Sequence, residues 1–288
     1  VICPICGSDK TQKRGQTITK YGKTARFYCH EHRGFFSEAD TVLDLFPAVL
    51  LLDIETLPII GYAWDVYDVN IRPEQIIEDW CLLGWSAKWL LDNKMISAIL
   101  SPREALKRND KRLVKKIWAL LDEADVIIGQ NVRRFDLRKL NSRFLKHGIA
   151  PPSSYKTVDT LIAARSAFGQ TFNKLDSLAK YLGYAGKTET NFKLWADCDA
   201  GDTKALEKMR RYNENDVLLL EKVYLKMRAW IPNHPRFTAY EKVKNVCPVC
   251  FGPITNIGYY QAAVKKYPEF RCQGDCGAVF HSTRPARD

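Results

Sequence analysis

Asp53 and Glu55 in Leu51-Leu52-Asp53-Ile54-Glu55-Thr56, Asp136 closing Asn131-Val132-Arg133-Arg134-Phe135-Asp136, and Tyr212 with Asp216 in Tyr212-Asn213-Glu214-Asn215-Asp216 put four carboxylates and a phenol into three separated motifs. Carboxylates repel one another, so gathering four of them at one point makes sense only if hard cations neutralise them. Two such cations about 4 Å apart are the usual apparatus for phosphodiester hydrolysis. Ligation by oxygen alone favours Mg²⁺ or Mn²⁺.

Regular structure is expected to position each acid. The apolar run from Val49 that ends at Asp53 reads as a buried central strand. Asp53 and Glu55 are two residues apart and share a face of an extended backbone. Asp136 follows a short strand, Val126-Ile127-Ile128-Gly129, and opens a helix to about Lys146, with Leu137, Leu140 and Phe144 on its apolar face and Gly148 as C-cap. Tyr212 and Asp216 stand one turn apart in a long helical pattern that includes Leu206, Met209, Val217, Leu220 and Val223. Taken singly, each motif has a plain reading: a solvated strand end, an N-cap, an amphipathic helix surface. Their joint occurrence in this order is what points to a metal site.

The three motifs resemble those of the DEDD superfamily of 3′–5′ exonucleases in its tyrosine-bearing branch, and most closely the exonuclease domain of family B DNA polymerases. Asp53-Ile54-Glu55-Thr56 matches the first motif, Gly129-Gln130-Asn131 through Phe135-Asp136 the second, and Tyr212 through Asp216 the third. Val158-Asp159-Thr160 and the stretch from Lys174 to Gly183 also look familial, so the resemblance covers about residues 47–230. It implies an α/β fold, a ribonuclease H-like mixed sheet with helices on both sides. Asp53, Glu55 and Asp216 would then hold the cation carrying the attacking water, Asp53 would bridge to a second cation, and Asp136 would act through waters. Tyr212 would orient the water, since a phenol near pKa 10 is a poor base at neutral pH. Leu57, Asn131 and Phe135 are candidate contacts to the terminal bases, and Arg133 and Arg134 beside Asp136 would serve an incoming phosphate strand. No polymerase signature follows the third motif, so the expected activity is that of a stand-alone exonuclease working on single-stranded ends, with DNA as the expected substrate and a replication or repair protein as a further partner.

The chain ends carry a second signal. Of nine cysteines, seven lie in the terminal segments. Cys247, Cys250, Cys272 and Cys276 have the spacing of a four-thiolate zinc site. Cys3, Cys6 and Cys29 need one imidazole to complete a second, with His32 the better-spaced donor and His30 the alternative. Each segment has a Cys-Pro-x-Cys knuckle, a basic and aromatic stretch, and a second knuckle followed by Phe and Ser, so they read as two related zinc ribbons holding two structural Zn²⁺ ions. Disulfides are the competing reading. Nothing resembling a secretory signal supports them, and the expected compartment is the cytoplasm of a bacterial or phage-infected cell. Cys81 and Cys198 read as lone thiols.

With 288 residues and a formal charge of +11, the chain is long enough for one ordinary domain with two appendages and favours a polyanionic partner. No apolar run approaches the length of a membrane span. Residues 1–33 hold seven Lys or Arg against two acids. The run Lys107, Arg108, Lys111, Arg112, Lys115 and Lys116 repeats with helical spacing and reads as a solvated face. The expected layout is a zinc ribbon and connector over 1–46, the ribonuclease H-like domain over 47–232 and a C-terminal ribbon over 240–288, the prolines at 232 and 235 stopping the last nuclease helix. Two other readings compete with the exonuclease: a same-fold endonuclease, and a non-catalytic nucleic-acid-binding or scaffold protein on a degenerate nuclease fold. The second would have lost an acid, and none is missing.

Overall fold

A computed structural model describes residues 1–3, 6, 8–19, 22–31, 33–37, 47–239 and 245–286, with the backbone alone for 17–19 and 22–24. The connector at 38–46, the start of the second ribbon at 240 and the ligand reading of His32 lie outside these residues. The chain forms two compact units, Ala48–Val223 and, from both ends together, Val1–Pro47 with Tyr224–Asp288.

In the end-built unit, β1 (Thr11–Thr19), β2 (Gly22–Cys29) and β3 (Gly34–Ser37) make an antiparallel sheet. The central unit starts with β4 (Val49–Leu57), whose Leu50, Leu51 and Leu52 are wholly buried, as a strand covered on both faces must be. Between β4 and the next long strand, residues 58–80 make an excursion with a short hairpin, β5 (Ile60–Gly61) against β6 (Ile76–Glu78). Its tip leaves Tyr62, Val66 and Tyr67 exposed and Trp64 fully so. At its stem, Arg108 donates to the carbonyls of Pro58 (2.8 Å) and Asp79 (3.0 Å) and pairs with Asp199 at 2.7 Å. Arg108 therefore leaves the solvated face on which its spacing had put it, because its guanidinium satisfies backbone acceptors. Its neighbours behave as expected: Lys107, Lys111, Arg112, Lys115 and Lys116 are exposed.

The sheet continues with β7 (Cys81–Trp89), β8 (Met95–Ile99), β9 (Val126–Gly129) and β10 (Lys156–Asp159), in the order β10-β9-β4-β7-β8. Strands β9 and β10 run parallel with β4, β7 runs antiparallel to β4, and β8 runs antiparallel to β7 and so in the direction of β4. After the short α1 (Pro102–Leu106), α2 (Lys111–Glu123) and α3 (Asp136–Lys146) pack on the sheet through Leu113, Ile117, Leu121, Leu137, Leu140 and Phe144. These two helices are stapled by Asp110, wholly buried, which takes Arg143 at 2.6 Å, His147 at 2.7 Å and the Leu82 amide at 2.8 Å. Burial alone would raise the Asp110 carboxyl, but these donors outweigh it and hold it below the usual range. Helices α4 (Thr160–Ala167), α5 (Leu175–Tyr181), α6 (Phe192–Asp199) and α7 (Thr203–Met227) complete the order. This is the mixed sheet with helices expected from the sequence. Cys81 and Cys198 are both core residues.

The end-built unit closes with the antiparallel β11 (Ile254–Gln261), β12 (Lys266–Cys272) and β13 (Val279–His281). The echo between the ribbons is structural: Phe27 stacks on Phe36 at 5.5 Å, and Phe270 on Phe280 at 5.8 Å, each pair joining the second strand of a sheet to its third. Asn245 donates to the Glu31 carbonyl, a direct tie between the two chain ends.

Candidate active site

Strand β4 presents Asp53 and Glu55 on one face, and α7 brings Asp216 to them, so that one oxygen from each of the three lies within 4.8 Å of the others. Asp136, at the first turn of α3, accepts from the Ile54 amide at 3.1 Å and so ties that helix to β4 between the two acids. The junction that delivers Asp136 is tightly made. A Cβ on Gly129 would stand 2.6 Å from Val132 Cβ, so only glycine fits. Asn131 turns the chain in a left-handed conformation (φ 62°), which asparagine tolerates better than most residues. Asp159 fixes that turn by accepting from the amides of Asn131 (3.0 Å) and Arg133 (3.1 Å).

The electrostatics are those of crowded acids. Burial, then the Asp216 charge, lifts Asp53 to about 7. Burial, then Asp53, lifts Glu55 to about 8. Burial also raises Asp136 well above the carboxylate range, with Asp53 adding to it, and raises Asp216. Lys187 answers part of this charge, donating to Asp216 Oδ2 at 2.5 Å. Burial would lower its ammonium, but Asp216 more than offsets that and holds it above the ordinary lysine value. Asn213, buried one position after Tyr212, donates to Asp53. Trp195 lies close enough to Glu55 to lower its carboxyl, against the effect of burial, and meets the Tyr212 ring edge-on at 6.3 Å. Tyr212 lies in hydrogen-bond reach of Asp216, and burial with the Asp216 charge pushes its phenol to about 12.

The acidic residues fit a hard divalent cation. The donors are all oxygens, they converge, and Asp216 Oδ1 is buried with no hydrogen-bond partner.

Of the expected strand contacts, Asn131 lines a cavity beside the site, and Phe135 is partly exposed with the Lys139 ammonium 6.0 Å from its ring. Arg134 is exposed. Leu57 is corrected: it is fully buried in the main core and has no face left for a base. Arg133 is engaged elsewhere, its guanidinium donating to the Thr157 hydroxyl (2.6 Å) and carbonyl (2.7 Å) in β10. Sequence reasoning missed Lys187, Asn213 and Trp195. Only Asn213 carried a signal, lying inside the third motif.

In the end-built unit, Cys247, Cys250, Cys272 and Cys276 bring four sulfurs together, with Cys247–Cys276 at 3.6 Å and Cys250–Cys272 at 3.5 Å. These distances are far from a disulfide and near the roughly 3.8 Å edge of a tetrahedron around a zinc ion. Amides of Val249, Gly252 and Gly274 donate to the sulfurs at 3.2–3.4 Å. Hydrogen bonds from Cys247 and Cys276 hold the Cys250 thiol below its usual range, while those two thiols themselves stand above theirs. Cys3, Cys6 and Cys29 form a second group. His30 does not join it: its ring packs edge-on against Tyr28 at 5.2 Å on the exposed side of the strand.

A family model described as RNase_H superfamily (RNase_H_2) matches residues 91–228, a span that includes Asp136, Tyr212 and Asp216. No curated protein matches the chain. Among solved structures it is similar to the family B DNA polymerase from the hyperthermophilic archaeon Pyrobaculum calidifontis, at 15% identity and a TM-score of 0.46, over 90% of this chain and 36% of that one. Sheet order, helix placement and the family model agree on an RNase H-like fold for the central unit.

Proposed function

We propose that the chain is a metal-dependent 3′–5′ exonuclease that hydrolyses phosphodiester bonds at single-stranded ends, with DNA as substrate. The observation that carries this reading is the delivery of Asp216 from α7 to Asp53 and Glu55 on β4. Two Mg²⁺ or Mn²⁺ ions held by Asp53, Glu55, Asp136 and Asp216 would supply an activated water and a stabilised leaving oxygen. The residues around them do the positioning. Tyr212, its phenol at about 12, keeps its proton at neutral pH and serves by donating a hydrogen bond that fixes the water's direction. Asn213 holds the Asp53 carboxylate, so that acid keeps its orientation while charge develops, and Trp195 stands beside Glu55. Lys187 balances the negative charge of the cluster.

The two cysteine groups would hold structural Zn²⁺, since such small sheets have too little core to fold without it. A 5′-labelled single strand with Mg²⁺ or Mn²⁺ should give a ladder of progressively shorter products. A single internal cut would favour the same-fold endonuclease, and no cut a non-catalytic binder. Asp53→Ala should abolish cleavage and retain strand binding; a fully active variant refutes the site.

A further inference from the structure

A cavity of about 590 Å³, within the usual range of about 300–1,000 Å³ for ligand sites, opens between the strand-to-helix junction at Gln130-Asn131 and the segment 171–176. Lys187, which grips Asp216, also lines it, so the cavity borders the carboxylate cluster. Its walls combine cations, an aromatic ring and amides with one acid, Asp176, which is paired with Lys180 at 2.8 Å. Arg165 on α4 and Lys174 at the start of α5 supply positive charge, and among the described residues neither is ion-paired. Phe172 supplies an aromatic ring, 68% exposed. Amides supply hydrogen bonding: Asn173 Oδ1 is buried with no partner, while Gln130 donates to the Asn173 carbonyl at 2.7 Å and fixes the segment.

A cation pair, an exposed ring and free amide capacity are what a nucleotide needs: phosphate, base stacking and base edge. We propose, resting on the exonuclease reading above, that this cavity binds the nucleotide upstream of the scissile bond, with its phosphate on Arg165 and Lys174 and its base on Phe172. The choice of the upstream unit follows from counting phosphates. A 3′-terminal nucleotide brings one phosphate, the scissile one, and that must sit at the carboxylate cluster. Arg165 and Lys174 line a cavity to which none of those four acids contributes, so a phosphate that meets them belongs to the next unit of the strand.

The test compares the full-length parent, Phe172→Ala and the Arg165→Ala/Lys174→Ala pair on two substrates. One is a labelled single-stranded oligodeoxynucleotide. The other is the nitrophenyl ester of thymidine 5′-monophosphate, which has one nucleotide and one phosphate. Both variants should raise the KM for the oligonucleotide about tenfold while leaving ester hydrolysis within about twofold of the parent. The double variant should also show a shallower salt dependence of strand binding. An unchanged oligonucleotide KM, or equal losses on both substrates, overturns the proposal. A parent chain that cleaves neither substrate refutes the nuclease reading instead. The cavity is then judged by fluorescence anisotropy of the labelled strand, where about tenfold weaker binding in the variants is expected and unchanged binding overturns it.

Discussion

Replacing Lys187 by methionine keeps most of the side-chain volume and removes the ammonium that faces Asp216. Asp216 is only 1% exposed and Lys187 29%, so the pair is largely withdrawn from water. Breaking a buried pair from one side costs about 3–5 kcal/mol. Partial access of water to the lysine brings the expectation down to about 2–3 kcal/mol. The loss must depend on pH. Asp53 and Glu55 stand raised to about 7 and 8, so the stability they contribute is complete below the unfolded carboxylate range near pH 4 and disappears as pH climbs through 7–8. At pH 6 a cluster without Lys187 relieves itself by taking up a proton; at pH 8 that costs more. In protein treated with EDTA, Lys187→Met should therefore melt about 4–12 °C below the parent at pH 8 and visibly less below it at pH 6. Excess Mn²⁺ should shrink the gap at pH 8, because a bound cation replaces the missing charge. Equal melting of the two proteins at pH 8 without metal, or an undiminished gap in saturating Mn²⁺, refutes the view of Lys187 as the cluster's counter-charge.

Gly186→Ala would set a Cβ 2.2 Å from Asp176 Oδ1, forcing away the carboxylate that accepts from the Lys187 amide, so kcat should fall about ten- to a hundredfold with strand binding retained in anisotropy. Asp110→Asn leaves Arg143 buried against a neutral amide and should cost about 3–5 kcal/mol in urea unfolding, with no change in metal binding to the acidic site. Elemental analysis of the parent should find about two zinc ions per chain, and Cys276→Ser should lose one of them while the central unit keeps its own thermal transition.

The parts of the fold readable in advance were those set by short-range periodicity. Val49–Asp53 could only be a central strand, and the four-residue spacing of Tyr212 and Asp216 put both on one helix face. Helix α3 begins and ends where its apolar spacing and Gly148 indicated. What stayed hidden depends on contacts between distant segments. Lys187 lies in a stretch without regular structure, and nothing local marks it; Asp176 and the close fit at Gly186 aim it at α7. Trp195 reads as an ordinary helix residue until α6 packs beside β4. Leu57 misled because an apolar residue just past the acids suits a base platform and a core position equally well, and the strand continues far enough to bury it. Arg108 misled for the opposite reason: its helical spacing matched its neighbours, but at φ 46° it stands in a turn.

The unit built from both chain ends has a consequence for the order in which the protein is made. Cys3, Cys6 and Cys29 leave the ribosome before the central unit, yet the segment beginning at Tyr224 that shares their unit is synthesised only after it. With synthesis at about 5–20 residues per second, Ala48–Val223 has time to fold while the N-terminal ribbon waits for its partner. A chain stalled after α7 would therefore carry a complete cluster of acids and a half-finished end unit. Pulse-labelled, stalled chains should show the central unit protease-resistant before the ribbons are.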